Sequence, residues 1–159
     1  MNTQNARTLF AYNRWANRRL LAVASFLPRE DFGRDLHASF GSVRGTLLHI
    51  LWGERRWLHF WQDGSFIPDA VPEDFPDPAA LDASWVSLEQ EQLLFVAGLT
   101  DELLAAPRRV RDNEYPFGEL VQHLLNHSTY HRGQVALLLR QLGQSPPATD
   151  YRLFLIEAR

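Results

Sequence analysis

The chain contains no cysteine. That removes disulfides, thiolate metal sites and cysteine nucleophiles in one step. It contains no lysine either, so all 16 basic residues are arginines. They are scattered, apart from short pairs such as Arg18-Arg19, Arg55-Arg56 and Arg108-Arg109, and the net charge is −3. A nucleic-acid binder concentrates a basic surplus on one face, so that class is disfavoured. No apolar run reaches the ~18 residues of a membrane span. The opening Met1-Asn2-Thr3-Gln4-Asn5-Ala6-Arg7 lacks the apolar centre of a signal peptide. These absences together predict a cytoplasmic protein. Catalytic signatures are missing too. There is no His-Glu-x-x-His, so a zincin peptidase is disfavoured. There is no Gly-x-Ser-x-Gly elbow. Neither Glu54 nor Glu119 has a histidine three residues later, as di-iron bundles require.

What is present reads as helix. With 159 residues and 45% apolar content, the chain predicts one domain, residues 1–159, with a sizeable core. Four segments carry the helical period. The first runs from about Asn5 to Phe26, with Leu9, Tyr12, Trp15, Ala16, Leu20, Val23 and Leu27 on one stripe, and Pro28 stops it. The second runs from about Val43 to Gln62, with Ser42 as N-cap and Asp63-Gly64 as its end. Its stripe is Leu47, Ile50, Leu51, Trp57, Leu58 and Trp61. The third spans about Pro78 to Leu99, with Leu81, Trp85, Leu88, Leu93 or Leu94, and Val96 inward. The fourth spans about Phe117 to Leu142, and Gly143 suits the position just past its end. A last short helix is expected from Asp150 to Glu157. Between the second and third helices, residues 64–80 are acidic and carry Pro68, Pro72, Pro76 and Pro78. That connection is too long for a tight turn and can cross the end of a bundle. Residues 105–116 are irregular, with a short hairpin expected around Asp112-Asn113. The resulting fold class is all-α.

The most informative stretch is His123-Leu124-Leu125-Asn126-His127-Ser128-Thr129-Tyr130-His131, which holds three of the six histidines four residues apart. Residues four apart lie one turn above each other on a helix face, so two such imidazoles can grip one transition metal ion. His131 falls inside the fourth helix's apolar stripe and His127 at its edge, while His123 turns toward the polar side. A catalytic site usually has a third protein ligand and an open position. His49 offers one, because it borders the second helix's stripe and Gly53 leaves space beside it. His59 and His37 read as surface residues. The plain alternative for any one of these is a hydrogen-bonded core histidine.

Glu54 sits where an apolar side chain is expected, so it must be paired, ligated or protonated. A structural pairing, for example with a buried arginine, is the preferred reading, and Glu54 and Tyr130 are the candidates for moving a proton. Asn13 and Asn17, one turn apart, suggest hydrogen bonds between helices near Trp15. Arg132 and Gln134 could meet an anion, a partner or water, and Gly133 suggests a close helix approach. Trp52, Trp57 and Trp61 read as core or interface.

Taken together, Tyr12-Asn13-Arg14-Trp15-Ala16-Asn17, Leu48-His49-Ile50-Leu51-Trp52 with Glu54 and Trp57, and Asn126-His127-x-x-x-His131-Arg132-Gly133-Gln134 resemble the DinB family. Leu142-Gly143-Gln144-Ser145-Pro146-Pro147 and Asp150-Tyr151 are similar to its C-terminal pattern. The resemblance implies a four-helix bundle with a long crossover between helices two and three (up-down-down-up). It implies a divalent metal, commonly nickel or zinc, held by His49, His127 and His131, and it implies a homodimer. Some relatives are thiol-dependent transferases or isomerases using low-molecular-weight thiols. The family's name reflects damage-inducible expression and says nothing of DNA contact. The expected function is a metal-dependent enzyme of the thiol-transferase or hydrolase kind. The alternatives are a non-catalytic metal-binding homodimer with a structural or stress-response role, and a plain bundle with core histidines.

Overall fold

Short polar side chains start most of the helices, each satisfying a backbone N–H that the first turn leaves free. The computed structural model describes residues 1–158; Arg159, the last residue of the expected domain, lies outside them. Helix α1 (Thr3–Ala24) starts at Asn2, whose side chain accepts from the Asn5 N–H. A single turn, α2 (Arg29–Gly33), follows Pro28. Helix α3 (Val43–Asp63) starts at Ser42, which accepts from the Gly45 N–H, and ends at Gly64 in the left-handed conformation. The proline-rich connection holds only a 3₁₀ turn, Pro72–Asp74, before Asp77 and Pro78 open α4 (Pro78–Ala97). Then come α5 (Asp101–Ala105), strands β1 (Pro107–Val110) and β2 (Asn113–Pro116), α6 (Phe117–Gln141) and α7 (Tyr151–Glu157). Gly143 at φ 75° lets the Gln144 N–H return to the Leu139 carbonyl, a Schellman-type stop for α6.

The four long helices match the segments expected from periodicity to within about two residues at each end, the usual uncertainty of a helix boundary. Helix α1 packs on α4 and α6, and α3 packs on the same two, so the four enclose a shared core. Trp85, Leu20, Leu47, Ile50, Leu51, Leu81 and Leu88 are fully enclosed there. Helix α7 lies on α1, where Phe154 packs with Tyr12 and Ala16.

Two expectations need correction. The chain is not wholly α-helical, because β1 and β2 pair antiparallel from Pro107 opposite Pro116 to Val110 opposite Asn113. The hairpin turns at Arg111-Asp112, one residue earlier than expected. Proline is tolerated at strand ends, and the Phe117 N–H bonded to the Ala106 carbonyl at 2.9 Å closes the base of the hairpin onto α6. Neither Leu93 nor Leu94 points inward; they are 54% and 78% exposed. The stripe Leu81, Trp85, Leu88, Val96 passes instead through Gln92, which is buried. Helical period outranks local polarity here because a buried acceptor satisfies the Gln92 amide, as described below.

Trp85→Ala is expected to lower stability by about 3–5 kcal/mol, the range for emptying a large aromatic site. Leu94→Gln should change it by less than about 0.5 kcal/mol, as for other surface substitutions. Urea denaturation of both variants checks the assignment of α4's inner face.

Candidate metal centre

The site begins with a buried charge. Glu54, in the middle of α3, is 1% exposed. Its Oε1 accepts from Asn13 Nδ2 at 2.7 Å, Asn17 Nδ2 at 2.9 Å and Ser128 Oγ at 2.9 Å. Its Oε2 accepts from Gln92 Nε2 at 3.0 Å. One carboxylate therefore ties α3 to α1, α4 and α6. Arg132 of α6 is also 1% exposed. Its Nη1 donates to the Asn13 and Asn17 side-chain carbonyls, the latter at 2.9 Å, and its Nη2 donates to Thr129 Oγ1 at 2.7 Å. The guanidinium lies 5.2 Å from the Tyr12 ring centroid. Each asparagine thus receives from the arginine through its oxygen and gives to the glutamate through its nitrogen. Burial pulls the Arg132 guanidinium below its ordinary value, while the charges of Tyr12 and Glu54 push it back up.

This accounts for several sequence features. Glu54 has the structural pairing expected of it, and the arginine reaches it through the two asparagines. Asn13 and Asn17 bridge helices as expected, although Trp15 beside them is only partly buried and bonds Glu157 at 2.9 Å. Arg132 faces neither water nor an open surface. Gly133 is exposed, and a Cβ there would meet nothing within 4 Å, so no close helix approach explains it.

One turn from this network, three imidazoles converge. The candidate ligand atoms of His49, His127 and His131 all lie within 4.8 Å of one another. Their ring centroids are 4.4–4.8 Å apart, and His49 Nε2 lies 2.9 Å from His127 Nε2. His131 Nδ1 is 2.7 Å from Gln134 Oε1. An amide oxygen can only accept, so Nδ1 carries the proton and Nε2 keeps a free lone pair. Gly53 matters for a different neighbour than expected: a Cβ there would come within 3.2 Å of the His127 ring. Phe40, which periodicity did not flag, stacks on His49 with centroids 3.8 Å apart and meets His131 edge-on. Gly45 makes that possible, since a Cβ there would fall 2.0 Å from the Phe40 carbonyl oxygen.

The pocket disfavours protonation of two of these rings, His49 and His127. The His49 pKa is pushed down to about 4 by burial first and by the neighbouring His131 second. The His127 pKa is pushed down to about 4 by burial first, then by His131, His49 and His123. Neutral nitrogens are what a transition metal needs. Three imidazoles brought together, with one ring's tautomer set by Gln134, fit a divalent cation well.

The remaining candidates stand apart. Tyr130 is 66% exposed with its ring edge-on to His131. The four hydrogen-bond partners of Glu54 are side chains of Asn13, Asn17, Ser128 and Gln92, with no histidine among them. His123 is exposed and packs edge-on against Trp57. His37 is exposed, and His59 is partly exposed beside Asp63. Next to His49 and His127 opens a cleft of about 510 Å³ whose far wall is the hairpin, through Val110, Arg111, Asn113 and Tyr115. Sequence patterning had no access to that wall, because it arises from chain packing and not from periodicity.

Comparison with known proteins bears on the whole chain. The family model described as DinB family matches residues 1–158. The chain is 26% identical over 160 residues to Protein DinB of Bacillus subtilis (strain 168), covering 92% of this chain and 91% of that one. It is 33% identical over 82 residues to the uncharacterized protein YrdA of the same organism, covering 49% of each. A crystal structure of a DinB-like protein from Bacillus cereus ATCC 10987 superposes with a TM-score of 0.67 at 19% identity. That match covers 91% of this chain and 95% of the other, and it shows a shared fold.

Two outcomes follow from this geometry. Glu54→Ala leaves four donors without their acceptor and strands the Arg132 charge, so a loss of about 3–5 kcal/mol is expected by urea denaturation; Glu54→Leu combined with Arg132→Met should recover part of it. In metal-free protein, NMR titration should find the His49 and His127 rings neutral at pH 6. Their folded pKa lies below the ordinary 6.5, so the unfolded chain takes up protons first. Stability is therefore whole above pH 6.5 and falls as the pH drops toward 4.

Proposed function

The chain belongs to the DinB family, and from that membership we propose that it is a metal-dependent enzyme of the thiol-dependent transferase or hydrolase type. The observation that carries the reading is the convergence of the His49, His127 and His131 ring nitrogens beside an open cleft. These three residues would hold the ion; family membership points to nickel or zinc, both of which imidazole donors suit. Three neutral ligands leave the ion its full double charge, and what it supplies is Lewis acidity toward a water or a thiol. The chain has no cysteine, so a reacting thiol comes from a low-molecular-weight cofactor.

The protein's own residues prepare the site. Gln134 orients His131 by accepting a hydrogen bond from its Nδ1–H. Phe40 covers one face of His49 and keeps water from it. The Glu54–Arg132 network supports the register of α3 against α6, and so the distance between His49 and the other two rings. Tyr130 and Glu54 are the proton-moving candidates; the exposure of Tyr130 beside His131 favours it over Glu54, whose oxygens are already engaged.

The same reading includes an up-down-down-up bundle, with residues 64–77 as the crossover. It also includes a homodimer in the cytoplasm. The exposed Leu93 and Leu94, beside a groove of about 300 Å³ between α1 and α4, support an association surface there. No helix among the described residues is long and apolar enough to cross a membrane.

Protein purified without a histidine tag is expected to hold divalent metal at an equimolar ratio by elemental analysis. His49→Ala, His127→Ala and His131→Ala should each abolish that stoichiometry, and Gln134→Ala should weaken affinity about 10–100-fold. A screen of thiols such as glutathione against electrophiles then tests turnover. Stoichiometric metal with no turnover would favour the non-catalytic metal-binding role. Turnover surviving the loss of all three histidines would overturn metal catalysis.

A further inference from the structure

The cleft beside the histidines has a distinctive lining. Arg56, Arg111 and His123 contribute to it, Trp57, Phe66 and Tyr115 give it aromatic walls, and no carboxylate lines it. Arg56 is already engaged: it is ion-paired with Asp69, and its guanidinium lies 5.6 Å from the Phe66 ring centroid. Arg111 is in no ion pair among the described residues. Acids do lie close in sequence, but Asp112 and Glu114 are not part of the cleft, and Glu114 stands opposite Arg109 in the hairpin register.

The backbone at Arg111 is a second, independent observation. Its φ is +55°, while its turn neighbour Asp112 is not in the positive region. A two-residue hairpin loop with a positive first φ usually has glycine there. An arginine at that place is held in a disfavoured backbone conformation, and such outliers cluster at functional sites. The Arg109 Nε–H bonded to the Arg111 carbonyl at 3.1 Å helps hold the strained turn. The chain thus keeps a free guanidinium at the one turn position that disfavours it, on the wall of a cleft without negative charge.

We propose that this cleft binds a small organic anion with an aromatic or apolar body, its charged group on Arg111 and its body against Trp57, Phe66 and Tyr115. A guanidinium presents a planar fork suited to carboxylate, sulfonate or phosphate. A cleft lined by one sign of charge between low-dielectric walls raises the local concentration of the opposite sign. Placing the ligand's reacting end at His49 and His127 rests on the function proposed above; the anion selectivity at Arg111 does not.

The test compares 3-phenylpropionate with its neutral amide, 3-phenylpropionamide, by NMR titration of the wild type. The acid is expected to bind at least tenfold more tightly, with shifts confined to the hairpin and the Trp57 indole. Arg111→Asn, a residue that accepts the left-handed backbone, should reduce the acid to the affinity of the amide with the fold intact. His131→Ala should preserve the preference for the acid. Equal or absent binding of the two probes, shifts elsewhere on the surface, or full discrimination in Arg111→Asn would overturn the proposal. Metal content measured on the same samples reports separately: a wild type that discriminates but holds no metal refutes the metal centre and leaves the anion site standing.

Discussion

A carboxylate and a guanidinium buried together, without touching, are the constraint on which the rest of this structure depends. Glu54 and Arg132 are each 1% exposed and communicate through the amides of Asn13 and Asn17. Unpaired charge in a protein interior costs several kcal/mol, so a native state that buries both must supply most of the hydrogen bonds they need; of the two groups' polar atoms, Arg132 Nε is left without a partner. Here the donors and acceptors come from α1, α3, α4 and α6. An axial slip or rotation of any of these helices would strand a charge. Apolar packing alone is more forgiving, since hydrophobic side chains of similar volume can exchange neighbours at modest cost.

That rigidity bears on the three histidines. Ser128 and Arg132, both in the network, directly follow His127 and His131 in the chain, and Glu54 lies five residues after His49 on the same helix. Locking the network therefore sets the facing of the imidazoles across the α3–α6 contact. Burial then disfavours protonation of His49 and His127, which keeps their nitrogen lone pairs exposed toward one another. Such an arrangement is costly unless a proton or a cation is shared, and the 2.9 Å approach of His49 and His127 is consistent with that need. The adjoining cleft has the opposite character, with aromatic walls and arginines. Side by side lie three converging imidazoles and a wall that carries arginines and no carboxylate.

Much of this was legible in the chain because helices write their burial into a repeat. The stripe through Leu47, Ile50, Leu51 and Leu58 is enclosed as expected. The same reasoning singled out His127 and His131, and Glu54 drew attention as a charge in an apolar row. Failures came where polarity and period disagreed. Leu93 and Leu94 looked like better core residues than Gln92, but only Gln92 lies on the stripe and opposite a buried acceptor. Arg132 looked like a surface residue because its partners are Asn13 and Asn17, more than a hundred positions away. Phe40 carried no signal, since it belongs to no periodic element, and the hairpin was legible as a turn but not as a wall of the cleft.

Taken by itself, then, the amino-acid order determined the long helices, most of their inner faces, the cap at Ser42, and the i,i+4 histidine pair. These are local properties, governed by a repeat of 3.6 residues and by the hydrogen-bonding needs of helix ends. Only tertiary structure decided that His49 meets that pair, that Gln134 sets the His131 tautomer, and that Arg111 lines the cleft. Those relations join residues far apart in sequence or depend on how one element presents itself to another, and no periodicity along a single helix encodes the distance between two.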